Sequence, residues 1–429
     1  MRSISPRRLT SPAVRIGAVA ALVLAVAGSL GMRQAPAAGS AHCRPTISSM
    51  FLGKFSDAPY PGKKPVFRYT LTNCRGMQVK LLTYGAVQQS ITVPGRHGKR
   101  ADVILGFRTL KEYMTEDSAP PPVGGPYFGE TVGRYANRIA KGTFKLDQNG
   151  APHTYTLPIN NGVNSLHGGF VGFGNHIWTA RAVPSPSGSV SVAMTIVSPN
   201  DDEGSAFEPS CHCTGYPGKL RLTVTFTLNN RNQLIMHYHA TVKGANTVIN
   251  VTNHDYFNLA GEASGAVYSQ LVQINADKYT PTDTTQIPTG AIVPVAGTPF
   301  DFRAPHTIGS RINVDNRQLL IGQGYDHNWV LNKSGPTRDG LRLAARAWDR
   351  RTGRKLTVWT DEPGVQFYSG NFLNGTLVGI SGHIYRQSDG YTFETQHFPD
   401  SPNEASFPST ELKPGQQFNS TTIYQFSTF

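Results

Sequence analysis

"LRLTVTFTL", residues 220–228, decides how the fold is read. Leu220, Leu222, Val224, Phe226 and Leu228 alternate with Arg221, Thr223, Thr225 and Thr227, the period of two that a half-buried antiparallel strand imposes. "NNRNQ" (229–233) then turns the chain, and 234–242 resumes with Leu234, Met236 and Tyr238 on one face. Working outward, similar strands are expected near 78–93, 188–197, 246–257, 268–275 and 355–369, and no amphipathic helix exceeds two turns. The 44 glycines and 30 prolines fall mostly between these runs, as turn punctuation in an all-β protein should. The expectation is a large all-β domain of antiparallel strands in packed sheets, although composition alone leaves two β-sandwiches open.

Residues 1–41 read differently. Arg2, Arg7, Arg8 and Arg15 precede the apolar run Ile16–Gly31, and Ala35-Pro36-Ala37 follows as a small-residue cleavage site, so this segment reads as a signal peptide for secretion. The run is shorter than the roughly 20 residues of a spanning helix, and Arg7-Arg8 leaves open the twin-arginine as well as the general secretory route. The expected division is 1–41 as leader and 42–429 as a single domain, with no membrane attachment after cleavage. Five arginines of the +13 net charge lie in residues 1–37, leaving +8 for the remainder. Basic residues are scattered and form no run, which argues against a nucleic-acid partner.

Cys43, Cys74, Cys211 and Cys213 are an even set in an oxidising compartment, which favours disulfides with three possible connectivities. The Cys211-His212-Cys213 triplet lacks the second ligand pair that a zinc site needs. His237 and His239 share a strand face without a third ligand and read as surface residues.

Several polar stretches suggest a cleft. In "TVINVTNHDYFNLAG" (247–261), Asn250, Thr252, His254 and Tyr256 share one face, opposite Ile249, Val251 and Phe257. In "GYTFETQHFPD" (390–400), Glu394 aligns with Thr392 and Gln396 against Tyr391 and Phe393; in "EPGVQFYSG" (362–370), Gln366 and Tyr368 align against Val365 and Phe367. Asn137 and Arg138 in "GRYANRIA", His167 in "NSLHGG" and Asp326 in "GYDHNWVL" read as loop or strand-end residues. Taken singly, each has an ordinary structural explanation: a satisfied strand histidine, a turn-forming carboxylate, an arginine paired with a neighbouring acid. Together they suggest a sugar-binding cleft.

The ordered set "TYGA" (83–86), "GRYANRIAKGTF" (133–144), "NSLHGG" (164–169), "TNHDYFNLAG" (252–261), "GYDHNWVL" (324–331), "PGVQFYSGNF" (363–372) and "FETQHFPDSPN" (393–403) resembles the aldose 1-epimerases, or galactose mutarotases, from about residue 48 to the C-terminus. The resemblance implies a β-supersandwich fold and interconversion of the α and β anomers of a free hexose such as glucose or galactose. It implies Glu394 as catalytic base, His254 as catalytic acid, and Asn137, Arg138, His167, Asp326 and Gln366 as sugar-binding residues, with no metal and no other cofactor. His167 on its glycine turn would then contact the sugar. Ring opening and closing need two proton transfers, for which an ionised Glu394 and a cationic His254, favoured by a nearby acid such as Asp326, are expected. The partner is a small aldose, the chain a monomer or homodimer. "SAFEPSCHCT" (205–214) is inserted relative to the family pattern, and the extra cysteines are expected to pair Cys43 with Cys74 and Cys211 with Cys213. Competing readings are a noncatalytic carbohydrate-binding protein, a glycoside hydrolase using Glu394 and Asp326, and a hexose-phosphate epimerase, which export and the lack of an arginine cluster disfavour.

Overall fold

In the computed structural model, residues 43–57, 60–117, 125–205 and 211–429 are described; the leader lies outside the described residues. Leu220, Leu222, Val224, Phe226 and Leu228 are wholly buried because strand Lys219–Asn229 runs through the middle of a ten-stranded sheet. Its neighbours are Ser189–Ser198 and Gln233–Lys243, and beyond the latter lie Gln417–Thr428, Arg354–Thr360 and Leu341–Trp348. Val224 stands opposite Tyr238 and Phe226 opposite Met236, so the inward rows meet side by side. Full burial of each such side chain contributes about 1.5–3 kcal/mol. The outward row carries hydroxyls, and Thr223 hydrogen-bonds Thr195 at 2.8 Å while Thr227 bonds Ser191 at 2.7 Å. His237 and His239 lie on this same outer face, against Thr421 and Asn419, away from the polar cleft.

Two five-stranded antiparallel sheets pack with the large one around one apolar core. The first runs Thr46–Asp57, Tyr60–Thr72, Gln78–Leu82, Gln88–Pro94 and Arg100–Asp102, with Thr46–Asp57 on its edge and Met50 and Phe51 more than half exposed there. The second runs Val293–Pro294, Lys278–Thr280, Asp326–Val330, Gly364–Tyr368 and Thr392–Gln396. It sends Trp329, Val365, Phe367 and Phe393 into the core and turns Asp326, Gln366 and Glu394 the other way. The all-β supersandwich expected from the sequence is the observed architecture, and the longest α-helix among the described residues, Arg317–Gly322, is six residues long.

Three expected strands are divided. Residues 355–369 become Arg354–Thr360 in the large sheet and Gly364–Tyr368 in the site-bearing sheet. Pro363, with no N–H to donate, stops the ladder, and Thr360 Oγ1 caps the Glu362 N–H at 3.1 Å. Residues 78–93 form two strands around Gly85, whose φ of +64° no β-strand accommodates. Residues 246–257 keep their alternating faces but change partner: Thr247–Val248 pairs with Glu411–Leu412 and Thr252–Asn253 with Thr131–Val132.

Both expected disulfides are present, Cys43–Cys74 and Cys211–Cys213. Cys43–Cys74 spans 31 residues and Cys211–Cys213 only two, so chain entropy makes the first worth about 4 kcal/mol and the second about 1.6 kcal/mol. Urea unfolding should therefore show Cys43→Ser/Cys74→Ser losing about twice as much stability as Cys211→Ser/Cys213→Ser. Equal losses would show that loop closure does not govern the effect.

Candidate functional site

The local chain geometry fixes His167 first. His167 takes a φ of +50° and Asn137 a φ of +63°, and the two residues hold each other: Asn137 N–H donates to His167 Nδ1 at 3.2 Å, and His167 N–H donates to the Asn137 carbonyl at 3.1 Å. Gly168 follows at φ +99°, with its backbone so close to Gly133 that a Cβ would stand 2.1 Å from the Gly133 oxygen. At Gly169 a Cβ would lie 2.4 Å from Glu203 Oε2; that carboxylate accepts the N–H groups of Phe170, Val171 and Gly172 and anchors the loop. The glycine pair is therefore what lets the imidazole reach the cleft.

The cleft has a volume of about 490 Å³ and is lined by Asn137, Arg138, His167, Asp326 and Glu394, five of the seven residues singled out from the sequence. The other two lie against these: Gln366 Nε2 donates to Asp326 Oδ1 at 2.7 Å, and His254 Nε2 is 3.5 Å from Glu394 Oε1. Strand register makes this possible, since Asp326 pairs with Tyr368 and Gln366 with Glu394 on adjacent strands. Arg138 donates from Nε to Asn161 Oδ1 at 3.0 Å, and Thr392 Oγ1 donates to Glu394 Oε1 at 2.9 Å. Glu394 Oε2 has no hydrogen-bond partner among the described residues. Tyr127 and Gln286 also line the cleft, and the sequence reading missed both. Tyr127 adopts a φ of +59° and packs its ring 4.6 Å from that of His167 and 5.8 Å from that of His254; nothing in the residue type announces that conformation.

Burial dominates the electrostatics. It pushes Glu394 up to about 8, helped by the negative Asp326 and opposed by Thr392 and Arg138. It pushes His254 down to about 3 and, with the positive Arg138 nearby, holds His167 well below the ordinary histidine range. The arrangement thus places the proton on Glu394 rather than on His254, the reverse of the expected carboxylate and imidazolium. Asp326 acts on Glu394 rather than holding a charge on His254, because desolvation disfavours both charged forms. The total is unchanged: one proton for the pair.

His167, His254 and Glu394 bring possible ligand atoms within 4.8 Å of one another, enough in number for a metal. His167 does not fit that role. Its Nδ1 accepts the Asn137 N–H, so the neutral ring carries its proton on Nε2, and neither nitrogen has a free lone pair.

Residues 68–425 match the aldose 1-epimerase family. Galactose mutarotase of Sus scrofa is 41% identical over 373 residues, covering 87% of this chain and 97% of the pig protein. Aldose 1-epimerase of Escherichia coli is 37% identical over 368 residues, 85% of this chain and 96% of its own. The crystal structure of galactose 1-epimerase from Lactobacillus acidophilus superposes with a TM-score of 0.71 at 29% identity, covering 89% of this chain and 99% of that one. The turn that carries His167 provides a direct check on the site: Gly168→Ala should cost about 2–4 kcal/mol through a strained φ and a backbone clash, read by urea unfolding, and should weaken sugar binding. A variant as stable as the parent would mean that the loop relaxes freely and that Gly168 does not hold His167.

Proposed function

Since the chain belongs to the aldose 1-epimerase family, a family of isomerases, we propose that it is a secreted mutarotase for free hexoses such as glucose and galactose. In this reading Glu394 is the base, His254 the acid, and Asn137, Arg138, His167, Asp326 and Gln366 orient the sugar. The observation that carries it is the pairing of Glu394 with His254 at 3.5 Å beside the cleft, two buried groups that hold one proton between them.

A cyclic aldose opens when its anomeric hydroxyl loses a proton and its ring oxygen gains one. Sugar hydroxyls packed into the cleft replace the hydration that burial removed, and the shared proton moves to His254, leaving Glu394 as carboxylate. Glu394 takes the anomeric proton while His254 protonates the ring oxygen, and the bond between that oxygen and the anomeric carbon breaks. The aldehyde carbon rotates, and closure on its other face reverses both transfers. Each positioned acid or base contributes about 10²–10⁴-fold. His167, with its proton on Nε2, and Arg138 donate to sugar hydroxyls; Asp326 accepts.

Support for export is the leader-like composition of residues 1–41 together with the two disulfides of the domain proposed for residues 42–429, since disulfides persist in oxidising compartments. Among the described residues no helix is long and apolar enough to cross a membrane.

Polarimetry of freshly dissolved α-glucose and α-galactose should show faster approach to the equilibrium rotation, with Glu394→Gln losing at least about 10²-fold. Decay at the buffer rate while sugar still binds would leave only the binding reading. The pH profile tests the shared proton separately. The active pair holds one proton, so kcat/KM should be level near neutrality and fall as pH rises through about 8, where Glu394 loses it; such limbs belong to the pair. An acid limb at about 6.5, the ordinary histidine value, rather than at about 3, would show that His254 titrates on its own.

A further inference from the structure

Gln286 projects into the cleft from a turn that the ordered motifs do not contain. Asp283 Oδ1 accepts the N–H groups of Thr285 and Ile287 and the Thr285 hydroxyl, closing the turn. The Asn164 side chain donates to the Thr285 carbonyl and ties the turn to the wall that carries His167. Gln286 then takes a φ of +64° and lines the cavity.

Its amide lies between two opposite charges. Oε1 accepts from Arg138 Nη2 at 2.5 Å, and Nε2 donates to Asp326 Oδ2 at 3.0 Å. Arg138 Nη1 and the same Asp326 oxygen are 4.0 Å apart, well beyond the 2.7–2.9 Å of a direct guanidinium–carboxylate hydrogen bond. The amide offers an acceptor to the guanidinium from one atom and a donor to the carboxylate from another, so it serves both at once.

We infer that Gln286 is a positioning residue that keeps Arg138 and Asp326 from closing on each other, so that both remain available to sugar hydroxyls. The inference rests on the mutarotase reading above. Arg138 is held at its other end by Asn161 and Asp326 at its other oxygen by Gln366, so the amide is the part of the chain that sets their separation. Arg138 retains the Nη1 donors and Asp326 retains unused lone pairs. In a direct bidentate pair these would be consumed, and the sugar would have to break the pair before binding.

Arg138 and Asp326 contact hydroxyls that do not react, and such binding is equal in the ground and transition states. Its loss raises KM and leaves kcat in place. The experiment is steady-state polarimetry with α-glucose on the wild-type mature protein, Gln286→Met, Asp326→Asn and the double variant. Gln286→Met keeps the length of the side chain and removes both hydrogen bonds; it should raise KM about tenfold with kcat within about twofold. In the double variant the Gln286→Met effect should largely vanish, because no carboxylate remains for Arg138 to close on. Gln286→Glu is the second probe: it retains the acceptor for Arg138 but sets a carboxylate against Asp326, and it should raise KM as well. An unchanged KM in either variant, a fall in kcat alone, or additive effects in the double variant would overturn the inference. A wild-type protein that does not accelerate mutarotation would instead overturn the mutarotase reading, independently of Gln286.

Discussion

Alternate side chains of a β-strand leave on opposite faces, and the site depends on this constraint more than on any single contact. Strands Asp326–Val330, Gly364–Tyr368 and Thr392–Gln396 drive Trp329, Phe367 and Phe393 into the apolar core. The next residues along each strand, Asn328, Gln366 and Glu394, are thereby aimed at the other side. The energy that buries the aromatic row also fixes the polar row, because a slip of one residue would exchange the two. The Glu394 carboxyl is thus placed by its hydrophobic neighbours. Asp326, Gln366 and Glu394, separated by up to 68 positions in the chain, come together without a loop having to hold them.

The same burial sets the chemistry. A carboxyl and an imidazole sharing one proton in water would keep it on the imidazole; enclosed side by side they do the opposite, Glu394 rising to about 8 and His254 falling to about 3. The carboxyl and the imidazole beside the cleft are therefore held in their uncharged forms. On the proposed mechanism, ring opening and closing return the pair to its starting protonation, so no proton need be exchanged with bulk water between turnovers.

Much of this was legible in the sequence, and the failures have distinct causes. Period-two patterning identified Ser189–Ser198, Lys219–Asn229 and Gln233–Lys243 of the large sheet, though not Leu341–Trp348 or Gln417–Thr428, and it assigned His254, Gln366 and Glu394 to their polar faces, since side-chain alternation survives even where 246–257 changes partners. Strand limits were less legible: the reading of 355–369 as one strand ran across Thr360–Gly364, where the inward set passes from Leu356 and Val358 to Val365 and Phe367 and the lost N–H of Pro363 ends the ladder. Arg138 and His167 came from ordered motifs rather than from periodicity, because Arg138 lies in a strand of only two residues and His167 on a left-handed turn. Tyr127 and Gln286 escaped altogether. Each reaches the cleft through a left-handed φ that tyrosine and glutamine do not signal. The protonation of Glu394 and His254 was misjudged for a related reason: desolvation depends on what surrounds a group in three dimensions, and neighbouring charges are the smaller influence.

The Cys43–Cys74 bond has a consequence for the sheet it adjoins. Thr46 pairs with Thr72 at the open end of the first hairpin, and the two cysteines lie just beyond those residues, so the bridge fastens the end at which the edge strand would peel away. That strand presents unpaired backbone groups along one side and the apolar side chains of Met50 and Phe51 to solvent, the combination that invites another chain to add itself to a sheet. Beyond its effect on folding free energy, the oxidised bridge guards against intermolecular strand pairing, and a protein that lost it would first become sticky along that border.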